Sequence, residues 1–148
     1  MPEAFPSDTV AVAADHGGFA LKTTLVALLR ERGTDVLDLG ATSAEPVDYP
    51  DFAHALAAAI ETGRAARGLL VCGSGIGMSI AANRHGGVRA ALCHDGLTAR
   101  LARQHNDANV LVLGGRIIGV EVAKECLFTF LATPFEGGRH ARRVAKLG

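Results

Sequence analysis

The chain has 148 residues, 49% of them apolar and 20% charged, enough for one packed domain and unlike the composition of a disordered chain. Basic and acidic residues both number 15, which argues against a globally basic nucleic-acid binder. No apolar run approaches the roughly 18 residues of a membrane-spanning helix, and residues 1–7 lack the basic and apolar regions of a secretory signal. Three widely spaced cysteines, Cys72, Cys93 and Cys126, point to a reducing, cytoplasmic setting rather than a disulfide framework.

Residues 1–8 hold two prolines and no periodicity, and read as a loose arm before a single domain over 9–148. Thr9–Ala14 is short, apolar and β-branched, as a buried strand is. Leu21, Leu25, Leu28 and Leu29 follow at helical spacing, to an end near Arg32 with Gly33 as the stop. Asp35–Leu39 reads as a second strand. After the polar stretch 40–48, Phe52, Leu56, Ala59 and Ile60 mark a helix that stops at Gly63. Gly68–Cys72 is a third strand, 73–77 a glycine loop, and 78–83 the helix after it. Val88–Cys93 is a fourth strand. Asp95 can cap a helix holding Leu97, Leu101 and Ala102, which ends near His105–Asn106. Val110–Leu113 is a fifth strand, followed by a helix with Val120, Ala123, Leu127 and Leu131. The last twelve residues carry Arg139, Arg142, Arg143 and Lys146 and no acid, and can form one more short helix. Five uniformly apolar strands alternating with helices predict a three-layer α/β/α domain on a five-stranded parallel sheet, Rossmann-like in class; strand order is not legible.

In open α/β sheets, ligands bind beyond the carboxyl ends of the strands. Four such ends carry polar or glycine-rich residues: Asp15-His16-Gly17-Gly18, Cys72-Gly73-Ser74-Gly75-Ile76-Gly77, His94-Asp95 and Gly114-Gly115-Arg116. Alternate glycines between a strand and a helix can aim backbone N–H groups at an anion or a developing oxyanion. Met78 stands where the dinucleotide fingerprint needs glycine, and the P-loop lysine is missing. A glycine turn beside a structural cysteine is the plainer reading of the same residues. Asp15 beside His16 suits proton transfer or helix capping; His105–Asn106 suits a site or a helix end. Arg139 and Arg143 share a helix face and match phosphate geometry, or belong to a solvated tail. Cys93 and Cys126 fall in core patterns, His54 and His85 have no evident partner, and no Cys/His spacing suggests zinc.

Taken together, Ala13–Lys22, Asp48–Ala53, Val71–Arg84, Arg103–Gly119 and Glu136–Val144 resemble the ribose-5-phosphate isomerase B family, which includes the galactose-6-phosphate isomerase subunits. The resemblance implies an aldose–ketose isomerase of the pentose phosphate pathway, working on a five-carbon sugar phosphate without metal or cofactor, and at least a homodimer with sites shared between subunits. It makes Cys72 the catalytic base, since Ser79 stands near where the glutamate of the family's other branch would be. Asp15 and His105 take ring opening. His16, Arg116, Arg139 and Arg143 take the phosphate, Ser74 and Asn106 bond the sugar, and the Gly73–Gly77 amides, that of Ile76 included, face the oxyanion. One departure is Gly96-Leu97, where relatives often carry a larger or aromatic residue. Two alternatives stay open at this level: an isomerase of a six-carbon aldose phosphate, and a non-catalytic sugar-phosphate-binding module. Neither nucleic acid nor a membrane is an expected partner.

Overall fold

The computed structural model describes residues 8–148; apart from Asp8, the expected N-terminal arm lies outside the described residues. Five strands, β1 (Thr9–Ala14), β2 (Asp35–Asp38), β3 (Arg67–Cys72), β4 (Ala90–Leu92) and β5 (Val110–Gly114), form one parallel sheet in the order β2-β1-β3-β5-β4. Six helices connect or follow them: α1 (Phe19–Glu31), α2 (Tyr49–Glu61), α3 (Ile76–Ala82), α4 (Gly96–Asn106), α5 (Val120–Ala132) and α6 (Arg139–Ala145).

Because both sheet faces are covered, alternate residues of each strand feed two separate cores. Val10, Val12, Leu69, Leu111 and Leu113 pack with Leu25 and Leu29 of α1 and with Leu127 and Phe130 of α5. Ala11, Leu70, Val110 and Val112 pack with Leu56 of α2 and Met78 of α3. Each fully buried leucine of this kind contributes about 1.5–3 kcal/mol of transfer free energy. The central strands β1, β3 and β5 therefore have no polar face, which is why their sequences do not alternate.

Several expected details differ. α3 begins two residues early, at Ile76, because Gly75 turns the chain with φ +81° and the helix follows at once. β4 is three residues rather than six: the Asn83 amide group bonds both the N–H and the C=O of Ala90, and Asn109 bonds Arg89 N–H and Gly87 C=O. Side chains thus hold the chain at the amino end of this edge strand. Leu97, expected inside, is 52% exposed, and Val120 is also exposed. The buried face of α4 is Ala99, Ala102 and Arg103. The Arg103 guanidinium is tolerated there because it donates to the Thr133 and Ala108 carbonyls and to the Asp107 carboxylate. Asp95 caps α4 as expected, accepting from Thr98 N–H at 2.7 Å, and this bond with that amide holds its carboxyl below the usual range. The basic segment does form a helix, α6.

Candidate active site

The chain reverses direction across the sheet between β1 and β3, the switch point where α/β sheets bind ligands. Asp15 follows β1 and Cys72 ends β3, so both stand at this point. The loops there interlock. A side chain at Gly18 would bring its Cβ within 2.3 Å of the Val71 carbonyl, so only glycine lets the first loop lie on β3. Asp15 Oδ1 accepts from Gly18 N–H at 3.1 Å and steers the chain into α1, whose N-cap is Gly18 itself. The Gly115 and Arg116 amides donate to the Cys72 and Gly73 carbonyls at 2.8 and 2.9 Å. These bonds lay the β5 loop beside the Cys72 loop.

A cleft of about 590 Å³ opens here, lined among others by Asp15, Cys72, Gly73, Ser74, Gly77 and Arg116. The Cys72 thiol is nearly buried, and its Sγ accepts from Gly75 N–H at 3.1 Å. The Ile76 amide donates to Ser74 Oγ at 3.2 Å. Two of the amides expected to face an oxyanion are therefore engaged by their own loop. The Arg116 guanidinium lies against Gly73, 3.1 Å from where a Cβ would stand. His16 accepts the Val47 amide on Nδ1 at 3.2 Å, which leaves Nε2 carrying the proton as the free donor.

The remaining expected site residues lie elsewhere. α4 runs back from the carboxyl end of β4, so His105 and Asn106 sit beside the amino end of β5. Cys72 pairs with Gly114 at the far end of that strand, while Gly68 pairs with Val110 at the near end. Four residue steps at about 3.3 Å each put roughly 13 Å of strand between the two levels. Asn106 lines a different hollow, of about 500 Å³, with Arg84, His85 and Arg89. α6 carries Arg139 and Arg143 to this second group. All three arginines of α6 are exposed and form no ion pair among the described residues. One protomer thus gathers Asp15, His16, Cys72, Gly73, Ser74, Gly75, Ile76, Gly77 and Arg116, but does not bring His105, Asn106, Arg139 or Arg143 to them.

Three features escape the sequence. Tyr49 lies over Gly77, 2.5 Å from where a Cβ would be, and lines the Cys72 cleft with Ile76, Ile80 and Ile117. His140 of α6 is buried and stacks on His105, centroids 4.3 Å apart and planes 11° apart. Burial pushes its imidazole down from the usual range, and the charges of His105 and Arg139 add to this. His54 and His85 do have partners: His54 Nδ1 and His85 Nε2 share a 2.7 Å hydrogen bond, and His85 Nδ1 reaches Glu61 at 3.6 Å. Cys93 and Cys126 are core thiols as expected; burial raises both, Cys126 to about 12. Gly96 abuts the Glu125 carboxylate, which would lie 2.6 Å from a Cβ there. No helix among the described residues is long and apolar enough to cross a membrane.

The chain is similar along most of its length to known proteins. It is 47% identical over 135 residues, 91% of each chain, to ribose-5-phosphate isomerase B of Escherichia coli. It is 45% identical over 142 residues to D-erythrulose-4-phosphate isomerase of Pectobacterium atrosepticum, covering 95% of this chain and 93% of that one. The crystal structure of a ribose 5-phosphate isomerase from Thermotoga maritima superposes with a TM-score of 0.93 at 52% identity, covering 94% of this chain and 96% of the other. The family described as Ribose/Galactose Isomerase matches residues 10–147, and the chain belongs to that family.

Proposed function

We propose that the chain interconverts ribose 5-phosphate and ribulose 5-phosphate in an active site that two copies of the chain complete together. The observation that carries this reading is Cys72: a thiol at the switch-point end of β3, bonded by the Gly75 amide and opening on a cleft that holds Asp15, Ser74 and Arg116. A site that only bound its ligand would need no such group.

In the open-chain aldose, the Cys72 thiolate takes the proton from C2. The electron pair forms the C1=C2 bond of a cis-enediolate, and negative charge moves to O1. The thiol then returns the proton to C1 while the C2 hydroxyl proton passes to O1, so nothing is gained or lost overall. Ser74, on the same loop, is the hydroxyl suited to that exchange. The substrate is mostly a closed ring, and opening it moves a proton from the anomeric hydroxyl to the ring oxygen. His105 and Asp15 take that step. Arg116 and His16 from one copy and Arg139 and Arg143 from the other supply positive charge and N–H donors for the phosphate, and Asn106 bonds the sugar.

Two observations support the shared site. His105, Asn106 and the α6 arginines stand at the opposite end of the sheet from Cys72 in one protomer. The rim of the Cys72 cleft exposes Tyr49, Ile76, Ile80 and Ile117, with Ile76 56% exposed. A cluster of this kind marks a surface that another protein covers. A second reading, a four-carbon sugar phosphate as substrate, is favoured by the similarity to D-erythrulose-4-phosphate isomerase.

The test is a panel of four-, five- and six-carbon aldose phosphates, scored for ketose formation by wild type and Cys72→Ala. The expected result is best turnover with ribose 5-phosphate and a loss of about 10²–10⁴-fold in the variant. A preference for another chain length would replace the substrate; unchanged turnover by Cys72→Ala would remove the base.

A further inference from the structure

Three side chains from separate segments meet beside the last turn of α4. His105 belongs to α4, Glu136 to the loop after α5, and His140 to α6. The Glu136 amide donates to the Gln104 carbonyl at 3.1 Å, which docks this loop on α4. One donor atom each from His105, Glu136 and His140 lie within 4.8 Å of one another. His140 is only 7% exposed, and its Nε2 has no hydrogen-bond partner among the described residues, although Glu136 Oε1 stands 3.4 Å away. A buried polar atom without a partner is rare in native interiors and calls for an explanation.

We propose that His105, Glu136 and His140 form a binding site for a divalent cation of the zinc class. Two imidazoles and one carboxylate are donors that suit zinc, whereas magnesium and calcium prefer all-oxygen sets. Zinc–nitrogen bonds of about 2.0–2.1 Å in a tetrahedron put donors about 3.4 Å apart, so the widest spacing here must close by at most about 1.4 Å. Glu136 is exposed and His105 half-buried, so both have room to move toward His140. The two rings are now parallel, and their lone pairs converge only when the rings turn. Cation binding and ring stacking are thus alternative arrangements of the same pair. Three protein ligands leave a fourth position for water. Local spacing hides the site, because Glu136 and His140 are four apart but His105 comes from another helix.

The consequence is inhibition. A cation held on His105 ties up the imidazole that ring opening needs, so zinc and turnover compete; this part rests on the function proposed above.

The test is calorimetric titration of the wild-type chain, Glu136→Gln and His140→Ala with zinc chloride and with magnesium chloride. The same proteins are then titrated with cobalt(II), followed by visible absorption. The expected result is one saturable zinc site per chain, at least about tenfold weaker in both variants, with tetrahedral cobalt bands in wild type alone and no magnesium uptake. Glu136 is exposed and its amide variant conservative, so that protein remains a valid probe even if His140→Ala misfolds. Equal zinc affinity in wild type and Glu136→Gln overturns the site and moves the binding to other groups, such as Cys72 or the His54–His85 pair. Zinc that binds in the expected way without slowing isomerisation upholds the site and counts instead against His105 as the ring-opening residue.

Discussion

The two ends of the sheet hold their polar residues by different means. At the carboxyl end, Asp15, Cys72 and Arg116 are fixed through the backbone: glycines let the loops touch, and amide–carbonyl bonds such as Gly115 to Cys72 tie neighbouring loops together. At the amino end, His105 and α6 are joined mainly by side chains, an imidazole stack and a carboxylate within reach of a ring nitrogen. The first group is preformed, as suits the base proposed for it, where small errors of position are costly. The second presents the exposed arginines of α6 beside a half-buried His105 and a buried His140, as suits a group that another molecule must complete.

The sharpest way to separate the two ends is through the arginines. A charge-assisted bond to phosphate is worth ~1.5–3 kcal/mol, so Arg139→Ala or Arg143→Ala is expected to weaken substrate binding by roughly ten- to a hundredfold. Arg→Lys should restore only part of this, since lysine lacks the planar fork. Neither variant should lower the unfolding midpoint much, because both side chains are exposed. Binding of phosphorylated and unphosphorylated sugar analogues checks the point: equal affinity for the phosphorylated one in wild type and variants would make α6 a solvated face.

The carboxyl end should respond in the opposite sense. Gly18→Ala drives a methyl group into the Val71 carbonyl and is expected to cost about 1–3 kcal/mol of stability, typical of overpacking. Urea unfolding measures this, and an unchanged midpoint would show that the loop can shift away.

The smallest effect concerns the other thiols. Burial raises Cys93 and Cys126, the latter to about 12, so Cys126 gains thiolate character only as pH climbs toward that value. Brief treatment of the native protein with an alkylating reagent near pH 8 should therefore label Cys72 alone, by peptide mass spectrometry, and substrate should protect it. Labelling of Cys126 at that pH would contradict the packing around α5.

Much of this was legible in the sequence, for reasons that differ by residue. The strands were readable because burial on both faces leaves unbroken apolar runs such as Leu69–Val71. The place of Cys72 was readable because the apolar run before it stops at a glycine loop, which marks a strand end. Leu97 misled because α4 buries small residues and Arg103 instead, and an arginine satisfied by carbonyls looks polar in a sequence. The His54–His85 bond and the His105–His140 stack were hidden because each joins residues of different segments, which only tertiary packing brings together. The division of the expected site between two ends of the sheet follows from the direction in which α4 returns; the residue pattern does not carry it, and only the family resemblance implied a site shared between subunits.

That division makes the shared active site the central claim, and subunit mixing tests it most directly. Cys72→Ala and His105→Ala chains are each purified, shown to be nearly inactive, then unfolded and refolded together in equal amounts. If each site takes Cys72 from one copy and His105 from the other, every mixed dimer regains one intact site, and random pairing restores about a quarter of wild-type activity. A mixture no more active than either variant alone would contradict the account, because it would mean that both residues serve the same site from one chain.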